Sequence, residues 1–192
     1  MTDLVLDASK SRIRLHTFAE GILARLAHDL ELVCGELTGT ATELEGGGGT
    51  ASIEVPLRGM TVSGVLGKDG SIDERGLTPT DRRECLAKMH KDVFHARPES
   101  VVRVEVHVEG DSARVRVIPP NGKSVEAVVR AEVHPEGNDG GIRSSGRLEV
   151  SLSAIGSDTV KGPMGAFRVK DKVVVSFDVV FRPQLSKAAQ PA

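Results

Sequence analysis

The chain has 192 residues, of which 39% are hydrophobic and 27% are charged, and its 25 basic and 27 acidic residues leave a formal net charge of −2. Charges of both signs are interspersed along the chain, which argues against a disordered or coiled-coil protein. The near balance of charge argues against a nucleic-acid partner or an anionic membrane surface. No stretch approaches the roughly 20 apolar residues of a membrane span, and no secretory signal is visible. The sequence therefore predicts a cytoplasmic protein.

The first predicted elements are a strand over residues 12–18 and a short amphipathic helix over residues 20–30. In that helix, apolar residues recur at the spacing of one helical face: Ile22, Leu23, Leu26, Ala27 and Leu30. Strands are expected next over 31–45 and 51–57. The four glycines of 46–49 between them are typical of a hairpin loop.

A second helix is predicted to begin at Thr78 and to end near Pro98. Thr78 is a capping residue, Pro79 suits the first helical position, and Asp81 follows three residues after the cap. One apolar stripe follows along this helix: Leu86, Met89 and Val93. The glycine-rich segment 58–77 before it is expected to be a loop with a short strand at 60–62.

The second half of the chain alternates apolar and polar residues, which places successive side chains on opposite faces of a strand. Five strands with this alternation are predicted over 101–108, 115–117, 125–133, 148–154 and 173–181. Turn-forming residues separate them, as in Pro119-Pro120-Asn121-Gly122. This half is therefore a meander of antiparallel strands.

Counting both halves gives an all-β fold with two short helices and eight strands. Strands that are apolar on one face must bury that face, either in a closed eight-stranded antiparallel barrel or in two packed sheets. We expect a single domain over residues 1–182 and a disordered tail over 183–192.

The composition of the inward stripes predicts an internal cavity. An eight-stranded barrel is just wide enough to be filled by side chains or to hold one small ligand. The inward residues are mainly valine and alanine, which fill little volume, and the chain has five phenylalanines with no Trp or Tyr. The alternative is a barrel flattened into a dense sandwich, or one that a helix plugs.

Few residues suggest chemistry. His28 and Asp29 end the first predicted helix, where His28 either contacts a ligand headgroup at the mouth of the cavity or stabilises the helix end. His90 and His95 are five residues apart, which does not bring two metal ligands together on a helix, so no metal site is expected. Cys34 and Cys85 match no zinc or redox spacing and are expected to be reduced and mostly buried.

Three segments contain motifs that occur in a fixed order along the chain. The first is the stretch from Phe18 to Ala27-His28-Asp29-Leu30. The second begins at Ser71-Ile72-Asp73, continues through Asp81-Arg82-Arg83-Glu84 to Phe94, and ends at Pro98. The third runs from Leu152-Ser153-Ala154-Ile155-Gly156 through Met164-Gly165-Ala166-Phe167 to Phe181. Together these segments resemble the YceI-like, polyisoprenoid-binding family of lipocalin-like proteins.

The resemblance implies an eight-stranded lipocalin-like barrel around an apolar channel that accepts isoprenoid or fatty chains, with no catalytic activity and no cofactor. The ligand-binding residues predicted on this basis are Phe18, Leu23, Leu26, His28, Met89, Phe94, Val104, Val129, Phe167 and Phe177. Two alternatives stay open: an enzyme that uses His28 and Asp29 in acid–base or metal-assisted chemistry, and a scaffold that presents loops to a protein partner. A homodimer also stays open.

Overall fold

The computed structural model describes residues 2–21, 27–44, 48–138 and 140–184. The described strands are β1 Thr2–Leu6, β2 Arg12–Thr17, β3 Ala19–Glu20, β4 Leu30–Cys34, β5 Thr38–Glu43, β6 Gly49–Pro56, β7 Met60–Leu66, β8 Ile72–Asp73, β9 Val101–Glu109, β10 Ser112–Ile118, β11 Val125–Glu136, β12 Gly141–Ser151, β13 Arg168–Val169 and β14 Lys172–Pro183. Helix α1 spans Pro79–Lys88 and continues directly into a π-helical turn, Met89–Val93. Short 3₁₀ turns lie at Leu57–Gly59 and Pro163–Gly165.

Eight of these strands form a closed ring. Antiparallel pairing runs from β1 through β5, β6, β9, β10, β11, β12 and β14, and β14 pairs with β1 again. The pairing of β14 with β1 removes the two free edges that an open sheet of these strands would have. The inward side chains of the ring form most of the buried core, with Leu4, Ile53, Val115 and Phe181 among its members.

A second branch of the same sheet starts from the long strand β14. On one edge β14 pairs with β1 near its end and with β2 nearer its start, and the pairing continues from β2 to β4, β7 and β8. The sheet thus holds twelve strands, and β3 and β13 pair separately as a small two-stranded sheet. The fold is mostly antiparallel β with a curled sheet, as a lipocalin-like protein requires, but the predicted count of eight strands is too low.

Sharp breaks explain part of the difference in strand count. The strand predicted over 31–45 is two strands, β4 and β5, because the chain turns between them and Glu36 adopts a positive φ of 56°. Gly59 lies against the same turn, where a Cβ would stand 2.5 Å from the carbonyl oxygen of Gly35. A side chain at position 59 would therefore push the turn at Glu36 and the 3₁₀ turn Leu57–Gly59 apart.

Other differences come from segments without a clear alternation. β1 was not predicted, and the segment predicted as a loop with a strand at 60–62 holds the full strand β7. In contrast, residues 152–154 leave the strand predicted over 148–154 and form a turn. β14 extends to Pro183, one residue past the predicted domain end, and residues 185–192 lie outside the described chain.

The two predicted helices have different outcomes. Thr78 caps α1 as predicted: its hydroxyl accepts from the Asp81 amide, and the Asp81 carboxylate accepts from the Thr78 amide at 2.9 Å. The helix predicted over 20–30 is wrong at both ends, since Glu20 belongs to β3 and Leu30 to β4. Residues 22–26 lie outside the described chain. Among the described helices, none is long and apolar enough to cross a bilayer.

Candidate functional site

The interior of the sheet contains an apolar cavity of about 610 Å³. Pockets that hold small molecules usually measure 300–1,000 Å³. Its wall consists mainly of inward aliphatic side chains from β6, β9, β10, β12 and β14, in alternation with outward polar residues: Ile53, Val55, Val102, Val104, Val106, Val115, Val117, Leu148, Val150, Val175 and Val179. The space exists because valine at these positions reaches only part of the way to the barrel axis.

Two phenylalanines line one end of the cavity, which we call the helix end and define by Phe18, His28, Cys85, Met89 and Phe167. The small sheet of β3 and β13 brings Phe18 and Phe167 close together, because Ala19 pairs with Val169. The Phe167 ring covers Gly162, where a Cβ would stand 2.3 Å from the ring. A glycine is therefore required there if the ring is to reach the cavity.

Phe18 is held from a second direction as well. Its carbonyl oxygen accepts a 2.7 Å hydrogen bond from the amide of Lys170. The Lys170 ammonium lies 5.8 Å from the centre of the Phe18 ring, at the distance of a cation–π contact. The ring that faces the ligand space is thus fixed by the strand behind it.

Helix α1 and the π-helical turn supply the rest of the helix end. Cys85 and Met89 line the cavity one turn apart, and Phe94 lies just after the turn, almost fully buried. Arg82 holds this helix to the sheet by donating to the carbonyl oxygens of Val62 and Ser63. The predicted apolar stripe of this helix therefore does face the interior.

The opposite end of the cavity is more polar. Thr42, Glu43, Thr50 and Ser144 belong to its lining, beside Val108. The cavity is therefore apolar along its length and has polar groups at both ends. Such a lining suits a long apolar chain with a polar group at one end.

Both cysteines are free and line the cavity. Burial raises the pKa of the Cys34 thiol to about 12. Burial also raises the pKa of Cys85, and the carboxylates of Asp81 and Glu84 add to the effect. Both thiols are accordingly protonated at neutral pH and act as small apolar groups rather than nucleophiles.

His28 and Asp29 do not act as a pair. His28 lines the cavity from segment 27–29, whose residues are non-helical. The Asp29 carboxylate instead accepts a 2.8 Å hydrogen bond from the Ala19 amide, and the Asp29 carbonyl oxygen accepts from the Leu66 amide. Asp29 thus joins β3 to the main sheet and is not oriented toward acid–base work with His28.

The structure brings seven of the ten predicted site residues to the cavity wall: Phe18, His28, Met89, Phe94, Val104, Phe167 and Phe177. Val129 instead packs against the core as a partly buried residue. Leu23 and Leu26 lie outside the described residues. Whether the seven contact a ligand stays a prediction.

The sequence analysis missed cavity residues in two places. Met60 lines the cavity from the first residue of β7. The glycine-rich sequence around it predicted only a short strand at 60–62. Thr42 and Thr50 line the polar end, and their position next to the glycine loop was the signal available. No group of three metal-ligating side chains occurs within the described ranges.

Sequence comparison and structure comparison give different results. No family model matches the chain, and no curated protein matches it. Solved structures do resemble it. A polyisoprenoid binding domain from Saccharophagus degradans, implicated in plant cell wall breakdown, has a TM-score of 0.63 at 13% identity and covers 96% of this chain and 100% of that domain. BcnA from Burkholderia cenocepacia has a TM-score of 0.61 at 16% identity and covers 91% of this chain and 98% of BcnA.

These likenesses define the class of fold. They extend over nearly the whole chain, and they confirm at the level of the fold the resemblance to polyisoprenoid-binding proteins that three sequence segments suggested. At 13–16% identity they do not fix what this chain binds.

Proposed function

We propose that this protein binds an amphipathic ligand with a long apolar chain, such as an isoprenoid or fatty chain, and holds it in the barrel for storage or transport without transforming it. The observation that carries the proposal is the cavity of about 610 Å³ with its wall of valine, leucine and phenylalanine. The likeness to a polyisoprenoid binding domain supports the same ligand class.

The energetics favour such a ligand. Each methylene transferred from water into an apolar space contributes about 0.8 kcal/mol before the costs of association. A chain of about ten methylenes would therefore supply roughly 8 kcal/mol before those costs, and a longer isoprenoid or fatty chain supplies correspondingly more without a specific polar contact. Discrimination among chains would be loose, since one methylene more or less changes binding by about 1–3 kcal/mol.

The arrangement of Asp29 favours binding over catalysis. A histidine that acts as a general base usually needs a partner that orients its ring. Here the carboxylate next to His28 in sequence is engaged with a backbone amide. The protonated cysteines of the same cavity do not supply a nucleophile either.

The chain offers a clean test, because it contains no tryptophan. Phe18→Trp places a single indole at the helix end of the cavity, where dibromostearate bound in the barrel would quench its fluorescence. We expect saturable quenching at micromolar concentrations. The matched control is Val5→Trp, since Val5 is 39% exposed on the outer face of β1.

Equal quenching of the two variants, or none in Phe18→Trp, would contradict the proposal. Val104→Phe, combined with Phe18→Trp, adds a second criterion. It should weaken quenching because a ring at position 104 fills part of the ligand space. Circular dichroism would establish that each variant is folded.

A further inference from the structure

The barrel wall is incomplete between β11 and β12. Their ladder joins residues 131–136 to residues 141–146 and then stops. Beyond that point, residues 125–130 pair with β10, and residues 147–151 pair with β14, but no pairing joins the two segments to each other in the described chain. We call this opening the slot and define it by residues 125–130 and 147–151. At about 3.4 Å per residue, it is roughly 15 Å long.

The slot adjoins the ligand cavity. A space of about 320 Å³ lies between its two strands. Four residues line both this space and the main cavity: Val115, Val117, Leu148 and Val150. Asn121 closes the end of the slot that is away from the β11–β12 ladder by donating a 2.8 Å hydrogen bond to the carbonyl oxygen of Ile155. The slot therefore has defined ends and a mainly aliphatic lining, to which Glu126 and Glu149 add two carboxylates.

The sequence explains why the ladder stops where it does. Beyond the last pair, Ala131 with Gly146, a continued ladder would place Arg130 directly opposite Arg147 on the outer face. Like charges that face each other across two strands destabilise the pairing. Gly146 marks the same point, because its missing side chain admits the Phe177 ring, which a Cβ would meet at 2.6 Å.

The two arginines have no anionic partner among the described residues. Both are exposed, and neither forms an ion pair there. The outward carboxylates of the same strands lie nearer to other basic groups: Glu132 to His134 at 3.8 Å, Glu126 to Arg116 at 3.8 Å, and Glu149 to Lys172 at 3.0 Å. Two guanidinium groups without an ion pair therefore stand at one end of a mainly aliphatic opening.

We propose that the slot is a side entrance to the cavity and that Arg130 and Arg147 bind the anionic headgroup, a carboxylate or phosphate, of the amphipathic ligand. The apolar chain would pass between β11 and β12 into the barrel while the headgroup stays at the outer surface. Guanidinium groups suit this role because each presents paired donors to a carboxylate or phosphate. This inference rests on the proposed function and adds to it the charge of the ligand and its route.

Calorimetry with four compounds, each below its micelle concentration, tests the proposal: dodecyl phosphate, dodecanol, dodecylamine and inorganic phosphate. The wild-type protein should bind dodecyl phosphate at least about tenfold more tightly than dodecanol, as charged hydrogen bonds add to the apolar contribution. The double variant Arg130→Glu with Arg147→Glu keeps like charges across the slot but reverses their sign. Its preference should change from dodecyl phosphate to dodecylamine, with little change for dodecanol.

The matched control is Arg75→Glu with Arg83→Glu, two exposed arginines of which the first follows β8 and the second lies on α1, on the branch of the sheet away from β11 and β12. It should keep the wild-type preference. An unchanged preference in the slot variant, or equal wild-type affinity for dodecyl phosphate and dodecanol, would overturn the proposal. Inorganic phosphate that binds as tightly as dodecyl phosphate would overturn it too, because the arginines would then bind a free anion. If the wild-type protein does not bind dodecanol at all, this result would instead refute the proposed function itself.

Discussion

Single residues decide how much of the interior is left free. Inward valines at positions such as 104, 106, 115 and 117 stop short of the axis, whereas the rings of Phe18 and Phe167 cover only one end. The alternation that identified these valines was readable from the sequence. The volume that these valines leave unfilled could not be predicted from the sequence, because it depends on the distance between strands on opposite sides of the barrel.

The reactivity of the buried Cys34 thiol tests whether the interior around this residue is closed to solvent. Its pKa is raised from 9.0 to about 12, so at pH 8 the thiolate fraction falls by about a thousandfold relative to a free cysteine. N-Ethylmaleimide should therefore leave Cys34 unmodified in the folded protein and modify it in urea. Peptide mapping by mass spectrometry gives the result. Rapid alkylation of Cys34 in the folded protein would show that the residue is open to solvent.

The helices and strands show which sequence patterns were sufficient to predict secondary structure. The capping residues predicted the amino end of α1 to within a residue, since Thr78, Pro79 and Asp81 act locally and need no tertiary partner. The apolar spacing over residues 20–30 predicted a helix, yet its two ends pair as strands, because the β3–β13 pairing and the β2–β4–β7 ladder engage them. Short apolar segments of this kind take the structure that their neighbours impose.

The capping box of α1 can be tested by Thr78→Ala. Removal of an N-cap hydroxyl costs about 1 kcal/mol, and here it also removes a partner of Asp81, whose pKa is held below its usual value by hydrogen bonds from Thr78. We expect urea unfolding to report a loss of that size. Thr78→Ser, which keeps the hydroxyl, is the control and should lose much less. A full loss in Thr78→Ser would mean that the threonine methyl group, not the cap, stabilises this end.

At the scale of the whole molecule, closure of the ring joins the most distant parts of the described chain. β1 pairs with β14, so Leu4 lies opposite Pro183. This pairing was not predicted, because five residues with two inward positions give too short an alternation to recognise. The meander of the second half was predicted well, since each of its strands pairs with the next along the chain except where β12 meets β14.

The closing strand should matter to global stability. Leu4 is 1% exposed and belongs to the central core, and replacing a buried leucine by alanine typically costs 2–5 kcal/mol. Leu4→Ala should therefore lower the midpoint of urea unfolding while the transition stays single. Val5→Ala on the outer face of the same strand, where Val5 is 39% exposed, is the control and should change the midpoint little. Similar effects for both substitutions would mean that β1 contributes through its backbone alone.

The pairing of β1 with β14 also has a consequence for biosynthesis. As the ribosome makes the protein from its amino end, β1 has no partner along one edge until β14, at residues 172–183, has been translated. Its apolar side chains, and those of the valine-rich strands that follow, stay uncovered during that interval. Completion of the wall therefore waits for β14, and nascent chains halted before residue 172 should depend on chaperones to remain unaggregated.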